Sequence, residues 1–243
     1  MPQFSKYSDA ILAAFKLNTK PQEIVHKKQE ILDSVFDYYH IQPGTLLFVG
    51  FNPALMAAEE YADAIFVTKV SETVREYLDT QGVKYTYIDD VTGKNFDCVV
   101  AMDEYFTFSD SDDKQKNEIE KLCAATNQVL ITTVRDYKNQ EYKDREASQP
   151  AVIRGTDAIN TFIEIHDWDF RVKNAWKTDV YHLCGTDTAY LGRYDRRTVF
   201  FKQMAKFSLD TGASDFRVHK NLMYKSVLKK NYEHVITVFF DKR

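Results

Sequence analysis

Between residues 45 and 134 the sequence alternates short, continuously apolar runs with stretches of helical periodicity, and no other feature restricts the fold as much. "TLLFVG" (45–50), "AIFVTKV" (64–70), "FDCVVAMD" (96–103) and "QVLITTV" (128–134) place apolar residues side by side rather than at every second position. A run without polar alternation has no face left for solvent, so each reads as a strand covered on both sides. "VKYTYIDD" (83–90) alternates Val83, Tyr85 and Tyr87 and reads as a further strand. Between the runs lie "PALMAAEEYA", "SETVREYLDTQG" and "DKQKNEIEKLCAAT", all compatible with helix, the second with Ser71 as N-cap and Gly82 as stop. Strands and helices in strict alternation predict a parallel sheet with helices on both faces, joined by right-handed crossovers.

The flanks complete the plan. "PQEIVHKKQEILDSVFDYYH" (21–40) sets Ile24, Ile31, Val35 and Tyr38 at helical spacing, with Pro21 and Glu23 suited to its first turn. After residue 135 the rhythm fails: "RDYKNQEYKDREASQ" is polar, while "AINTFIEIHDWDF" and "AWKTDVYHLCG" alternate and predict an antiparallel hairpin. "GTDTAYLGRYDRRTVFF" reads as a loop opening a helix that ends at Gly212, and "SDFRVHKNLMYKS" with "YEHVITVFFDKR" as two closing strands. The expected fold class is α/β: a doubly wound, mostly parallel seven-stranded sheet with a terminal antiparallel hairpin. We expect one domain over 1–243, with a helical lead over 1–40 and an insertion at about 136–195.

Composition narrows the function classes. Hydrophobic residues make up 44% of the chain, which predicts a packed globular protein, and the formal net charge of −4 argues against wholesale coating of nucleic acid. The 3 cysteines are widely spaced and form no CxxC pair, so neither a disulfide framework nor a zinc site is expected, and a reducing cytoplasm is the simplest setting. The 6 histidines show no HxH or HExxH spacing, so no metal is expected. No stretch approaches the ~18 apolar residues of a membrane span, and the N-terminus has no signal-peptide core.

The order of elements, a helix before the first strand and a hairpin at the end, resembles the class I S-adenosylmethionine-dependent methyltransferases over about 21–135 and 198–240. In that family the first strand ends in an acidic residue and a glycine-rich turn. Here the matching letters are Phe48, Val49, Gly50, Phe51, Asn52 and Pro53. The resemblance implies S-adenosylmethionine as cofactor, with its methionine end against the turn at Gly50, Phe51, Asn52 and Pro53. Asn52 stands at a second glycine position, where asparagine tolerates left-handed backbone. The family's second strand ends in a carboxylate that takes the ribose hydroxyls; here Lys69 and Val70 hold the place. An ammonium only donates, so that anchor is missing or rebuilt. Asp89 and Asp90 match the acidic group beside the adenine, Met102 and Asp103 the fourth-strand edge. Asp103 is the first choice of base, with Glu104 beside it and Tyr105 lining the acceptor; each also reads as an ordinary polar or core position at a strand end. The proline-bearing signature of amino-methyltransferases is absent from "DEYF".

Substrate recognition is expected in the insertion and the C-terminal segment, through Arg193, Tyr194, Arg196, Lys220, Tyr224 and Lys225. In "RVHKNLMYKSVLKKNYEH" basic groups interleave with aromatics, a pattern that suits nucleic acid and equally a solvated lysine-rich hairpin. Two functions stay open: a diverged methyltransferase acting on nucleic acid or protein, and a catalytically inactive module of the same fold that binds nucleic acid or a protein partner. A nicotinamide-dependent dehydrogenase ranks last for want of a fuller glycine fingerprint.

Overall fold

The computed structural model describes residues 3–16, 21–135, 151–154, 160–168, 175–219 and 233–241. Helices α1 (Gln3–Lys16) and α2 (Pro21–Tyr39) lead into β1 (Thr45–Val49), a 3₁₀ helix (Pro53–Glu60), β2 (Ala64–Thr68), α3 (Glu72–Thr80), β3 (Thr86–Tyr87), β4 (Phe96–Ala101), α4 (Asp112–Ala124) and β5 (Thr126–Arg135). Next come β6 (Ala151–Arg154), β7 (Asn160–Trp168), β8 (Ala175–Cys184) and β9 (Asp187–Arg197), then α5 (Phe201–Asp210), β10 (Asp215–His219) and β11 (Glu233–Phe239).

One sheet has seven strands in the order β10-β11-β5-β4-β1-β2-β3. Its β1, β2, β3, β4 and β5 run parallel and β11 pairs antiparallel with both β5 and β10. The unbroken apolar runs explain themselves here. Leu46, Phe48, Cys98, Val100, Val129 and Ile131 enter one core, under α2, the 3₁₀ helix and α3. Leu47, Val49, Val99, Ala101 and Leu130 enter the other, with Ile119 and Leu122 of α4 and Met204 of α5. Each strand thus loses both faces to apolar contact, the arrangement that parallel pairing with helical crossovers requires. No helix among the described residues is long and apolar enough to cross a membrane.

Helix α1 belongs to neither layer. Its first half, through Phe4, Tyr7 and Ala10, joins the α4–α5 core, and its second half, through Leu12 and Phe15, joins the α2–α3 core. It therefore lies across the carboxyl edge of the sheet.

Four local expectations change. The third strand shrinks to Thr86–Tyr87, and the Lys84 N–H before it donates to Glu59 Oε1 at 3.3 Å rather than to a strand partner. "PALMAAEE" forms a 3₁₀ helix interrupted at Ala57, capped by the Asn52 side chain. The segment read as a loop around Arg193 is strand β9, and α5 begins only at Phe201. The cause lies in the β8–β9 ladder, where the register shifts between Val180 and Tyr181 so that Leu191 is left over opposite them. That bulge hides the two-residue period of the sequence. Gly192 sits there at φ 149°, and a Cβ on it would stand 2.8 Å from the Tyr194 hydroxyl. β6, β7, β8 and β9 form a separate antiparallel sheet. Most of the polar stretch after 135 and of the basic stretch after 219 lies outside the described residues.

Candidate active site

In an open parallel sheet ligands bind beyond the carboxyl ends of the strands, where the winding changes direction. Here that point lies between β1 and β4. The chain leaves β1 through Gly50 at φ 80°, whose N–H donates to the Thr68 carbonyl at the end of β2 (2.8 Å). Asn52 has extended backbone, φ −131°, rather than the left-handed form expected of a second glycine position. Its Oδ1 accepts from Ala54 N (2.9 Å) and its Nδ2 donates to Met102 Sδ (3.4 Å). That second bond ties the turn after β1 to the turn after β4. The two turns that the sequence places side by side are side by side.

Backbone strain collects at the same edge. Among the described residues four non-glycines have left-handed backbone, and three of them are Lys69 (φ 58°) after β2 and the consecutive Asp103 (57°) and Glu104 (55°) after β4. Such a conformation costs about 1–2 kcal/mol for an L residue and persists only where surrounding contacts hold it.

For Asp103 and Glu104 those contacts are ionic. Asp103 Oδ1 meets Lys28 Nζ of α2 at 2.7 Å, both side chains about one-fifth exposed. Glu104 is buried, and its Oε2 accepts from Arg196 Nη2 at 3.0 Å. Arg196 comes from β9, is 2% exposed, and also donates from Nε to Thr107 Oγ1 (2.7 Å). Its guanidinium lies 3.9 Å above the Phe108 ring and 5.5 Å from that of Trp176. Glu104, Thr107 and the ring faces replace part of the hydration of this buried cation, while its Nη1 has no hydrogen-bond partner among the described residues.

A second buried carboxylate continues the chain of contacts. Tyr7 of α1 donates its hydroxyl to Glu164 Oε1 of β7 at 2.5 Å, and His166 Nε2 stands 3.4 Å from Glu164 Oε2. Burial pushes the Glu164 carboxyl up, but the His166 hydrogen bond, the Arg196 charge and the Tyr7 hydroxyl outweigh it and bring the carboxyl down to about 2. Burial and the same carboxylate push the Tyr7 hydroxyl well above its ordinary range, so it is a donor and not a base. The inserted sheet is thus clamped to the edge of the main sheet by buried charge.

The predicted site residues divide accordingly. Gly50, Phe51, Asn52, Pro53, Met102, Asp103, Glu104 and Tyr105 gather at the β1–β4 point. Phe51 and Val70, however, are core residues, 1% and 5% exposed. Asp90 faces away, bound to Lys121 at 2.6 Å, and Asp89 stays with its neighbour Tyr87. Glu104 is locked by Arg196, and Tyr105 is buried with its hydroxyl on Glu118; burial and that carboxylate raise its pKa well above the ordinary range. Asp103, paired with Lys28, keeps about one-fifth of its side chain exposed. Of the substrate residues, Arg193 is on the outer face with Asp167 and Asp179, whereas Tyr194 and Arg196 are interior. Lys220, Tyr224 and Lys225 lie outside the described residues.

Lys69 half-faces a cleft of about 470 Å³ lined also by Phe4, Tyr105, Phe108 and Glu118. Among the described residues it has no ion-pair partner.

Phe4, Tyr7, Ser8, Lys28 and Glu164 carry no motif that marks them as parts of this site. The helical spacing of Phe4, Tyr7, Ile11 and Phe15 is readable, but not the surface that the helix would cover. That surface is the Gly50 turn. A Cβ built on Gly50 would stand 2.1 Å from Phe4 Cε1 and 2.9 Å from Ser8 Oγ, and Phe51 N–H donates to Ser8 Oγ at 3.2 Å. The frame of the implied cofactor site is present, then, but the room against its turn is filled by α1, and the residues in this arrangement do not admit the methionine end of S-adenosylmethionine.

Known structures share this fold. A S-adenosylmethionine-dependent methyltransferase from Clostridium acetobutylicum ATCC 824 superposes with a TM-score of 0.68 at 10% identity, covering 88% of this chain and 91% of its own. DesVI of Streptomyces venezuelae gives 0.64 at 10% identity over 90% and 92%. CalS10 from Micromonospora echinaspora, an amino pentose methyltransferase with its cofactor bound, gives 0.58 at 11% identity over 88% and 91%. No protein-family model and no curated protein matches the sequence. At these identities the likeness is one of fold, and the chain has the class I methyltransferase fold.

Proposed function

We propose that this chain is a diverged S-adenosylmethionine-dependent methyltransferase whose acceptor is a small amine-bearing molecule. The observation that carries the reading is the junction of the β1 and β4 turns through Asn52 and Met102, at the switch point of the β3-β2-β1-β4-β5-β11-β10 order. The acceptor class is supported by two structures of the same fold, a sugar N-methyltransferase and an amino pentose methyltransferase, which cover 86% and 88% of this chain. Roles follow from placement. Asp103, held by Lys28 at the rim, is the group positioned to orient an acceptor amine or take its proton. Glu104 and Arg196 hold the loop that carries it. No transfer step follows from the arrangement with α1 seated.

The test is calorimetric titration of S-adenosylhomocysteine into the full chain and into Ser8→Ala, followed by a survey of amine acceptors with labelled cofactor. Micromolar binding by either protein supports the reading. No heat from both at millimolar ligand overturns it in favour of a second one: a binding module of the same fold that has lost its cofactor. Lys69 in place of a ribose-binding carboxylate, and Phe48 in place of an acidic strand end, favour that second reading. Its partner would be nucleic acid or protein at the basic segment after Arg217; affinity for nucleic acid that does not fall with salt argues against phosphate contacts.

A further inference from the structure

We propose that α1 and the methyl donor compete for one place: the helix occupies the room over the Gly50 turn, and it must leave the carboxyl edge before the donor enters. The inference rests on the methyltransferase reading and adds to it a closed state built into the chain.

Three observations carry it. First, contact at the turn is complete. With Phe4 Cε1 2.1 Å and Ser8 Oγ 2.9 Å from a Cβ that Gly50 lacks, not even a methyl group fits between turn and helix. Second, Ser8 Oγ already accepts the Phe51 N–H at 3.2 Å. A backbone donor exposed at the mouth of a strand-to-helix turn is what an anionic or carbonyl oxygen of a ligand would seek, so helix and ligand contend for the same hydrogen. Third, α1 is tied to two other elements by polar contacts that its displacement breaks, one part-buried and one buried. The Ser71 hydroxyl, at the N-cap of α3, donates to Asp9 Oδ1, and Tyr7 donates to Glu164. Leaving the edge also uncovers Phe4, Leu12 and Phe15 and takes the Tyr7 hydroxyl from a buried carboxylate, so the closed state is the resting one and the ligand must supply the difference. Apparent affinity for the donor is then the intrinsic affinity scaled by the fraction of molecules with α1 displaced.

The latch offers a direct experiment in the full chain. Asp9→Cys with Ser71→Cys, on a Cys184→Ser background because Cys184 is the exposed thiol, ties α1 to the N-cap of α3 under oxidation and frees it on reduction. The probe is S-adenosylhomocysteine by calorimetry. The expected result is binding in the reduced form, at least tenfold weaker binding in the oxidised form, and binding about 3- to 10-fold tighter than wild type in Ser8→Ala, the factor set by one hydrogen bond. Equal affinity in oxidised and reduced protein overturns the competition and leaves the methyltransferase reading standing. No binding by any form overturns both. If thiol titration shows that the disulfide does not close, hydrogen exchange of the wild type decides: ligand must speed exchange across residues 3–16, and unchanged or slowed exchange there overturns the proposal.

Discussion

Helices α1 and α2 both precede the first strand and both present a helical apolar stripe, yet they do different work. α2 sets Val25, Ile31, Leu32, Val35 and Phe36 into a single core and buries no polar side chain. α1 divides its apolar residues between two cores and buries Ser5, Tyr7 and Ser8 with them. The apolar seat of α2 is a permanent wall of the sheet. The mixed seat of α1 crosses strand ends, where backbone donors and acceptors have no ladder partners and must be met by side chains. The polar contacts of α1 can pass to other polar partners once its apolar residues are uncovered; α2, surface pairs such as Lys28–Asp103 apart, is held by apolar area.

The comparison can be broken at its strong end first. Leu32→Ala removes a side chain with 0% exposure and is expected to lower the unfolding free energy by about 2–5 kcal/mol in urea titration. A loss no larger than that of an α1 hydroxyl would erase the distinction between the helices. The next effect is acid. Glu164, which holds α1 through Tyr7, is depressed from an ordinary 4.5 to about 2, so its contribution is complete above about 4.5 and is lost as pH falls toward about 2. The linked stability is at most about 3 kcal/mol. Glu164→Gln should flatten that part of the pH–stability curve, and a variant that keeps the wild-type slope would show that the carboxylate is not the acid-sensitive anchor. The smallest effect belongs to the turn itself. Ser8→Ala should cost about 1 kcal/mol of stability while strengthening ligand binding, and a loss of both would make Ser8 part of the frame rather than of the plug.

How much was legible depends on what each residue answers to. Leu46, Phe48, Val99 and Ile131 answer to solvent exclusion, which acts along the chain, and so strand identity, order and burial follow from the letters. Gly50 was legible as a turn, because its left-handed backbone excludes most other residues. Arg196 was legible as important but not as interior: its neighbours Glu104 and Phe108 come from residues about ninety positions earlier. The bulge at Leu191 concealed the strand that carries it, since one extra residue reverses the inward and outward pattern. Asp89 and Asp90 were legible as acidic residues after β3 but not by their partners: Asp90 pairs with Lys121 of α4, thirty-one positions later, and Asp89 with Tyr87.

By itself the sequence determined the wound sheet, its two apolar faces and the place where its turns meet, because those follow from periodicity and from the chirality of crossovers, which are local. Only the tertiary structure decided that α1 lies on the Gly50 turn, that Glu104 and Glu164 share the charge of Arg196, and that the cofactor's room is filled. Those outcomes depend on which buried charges find each other across the fold. Charge buried at a distance obeys pairing and desolvation rather than spacing.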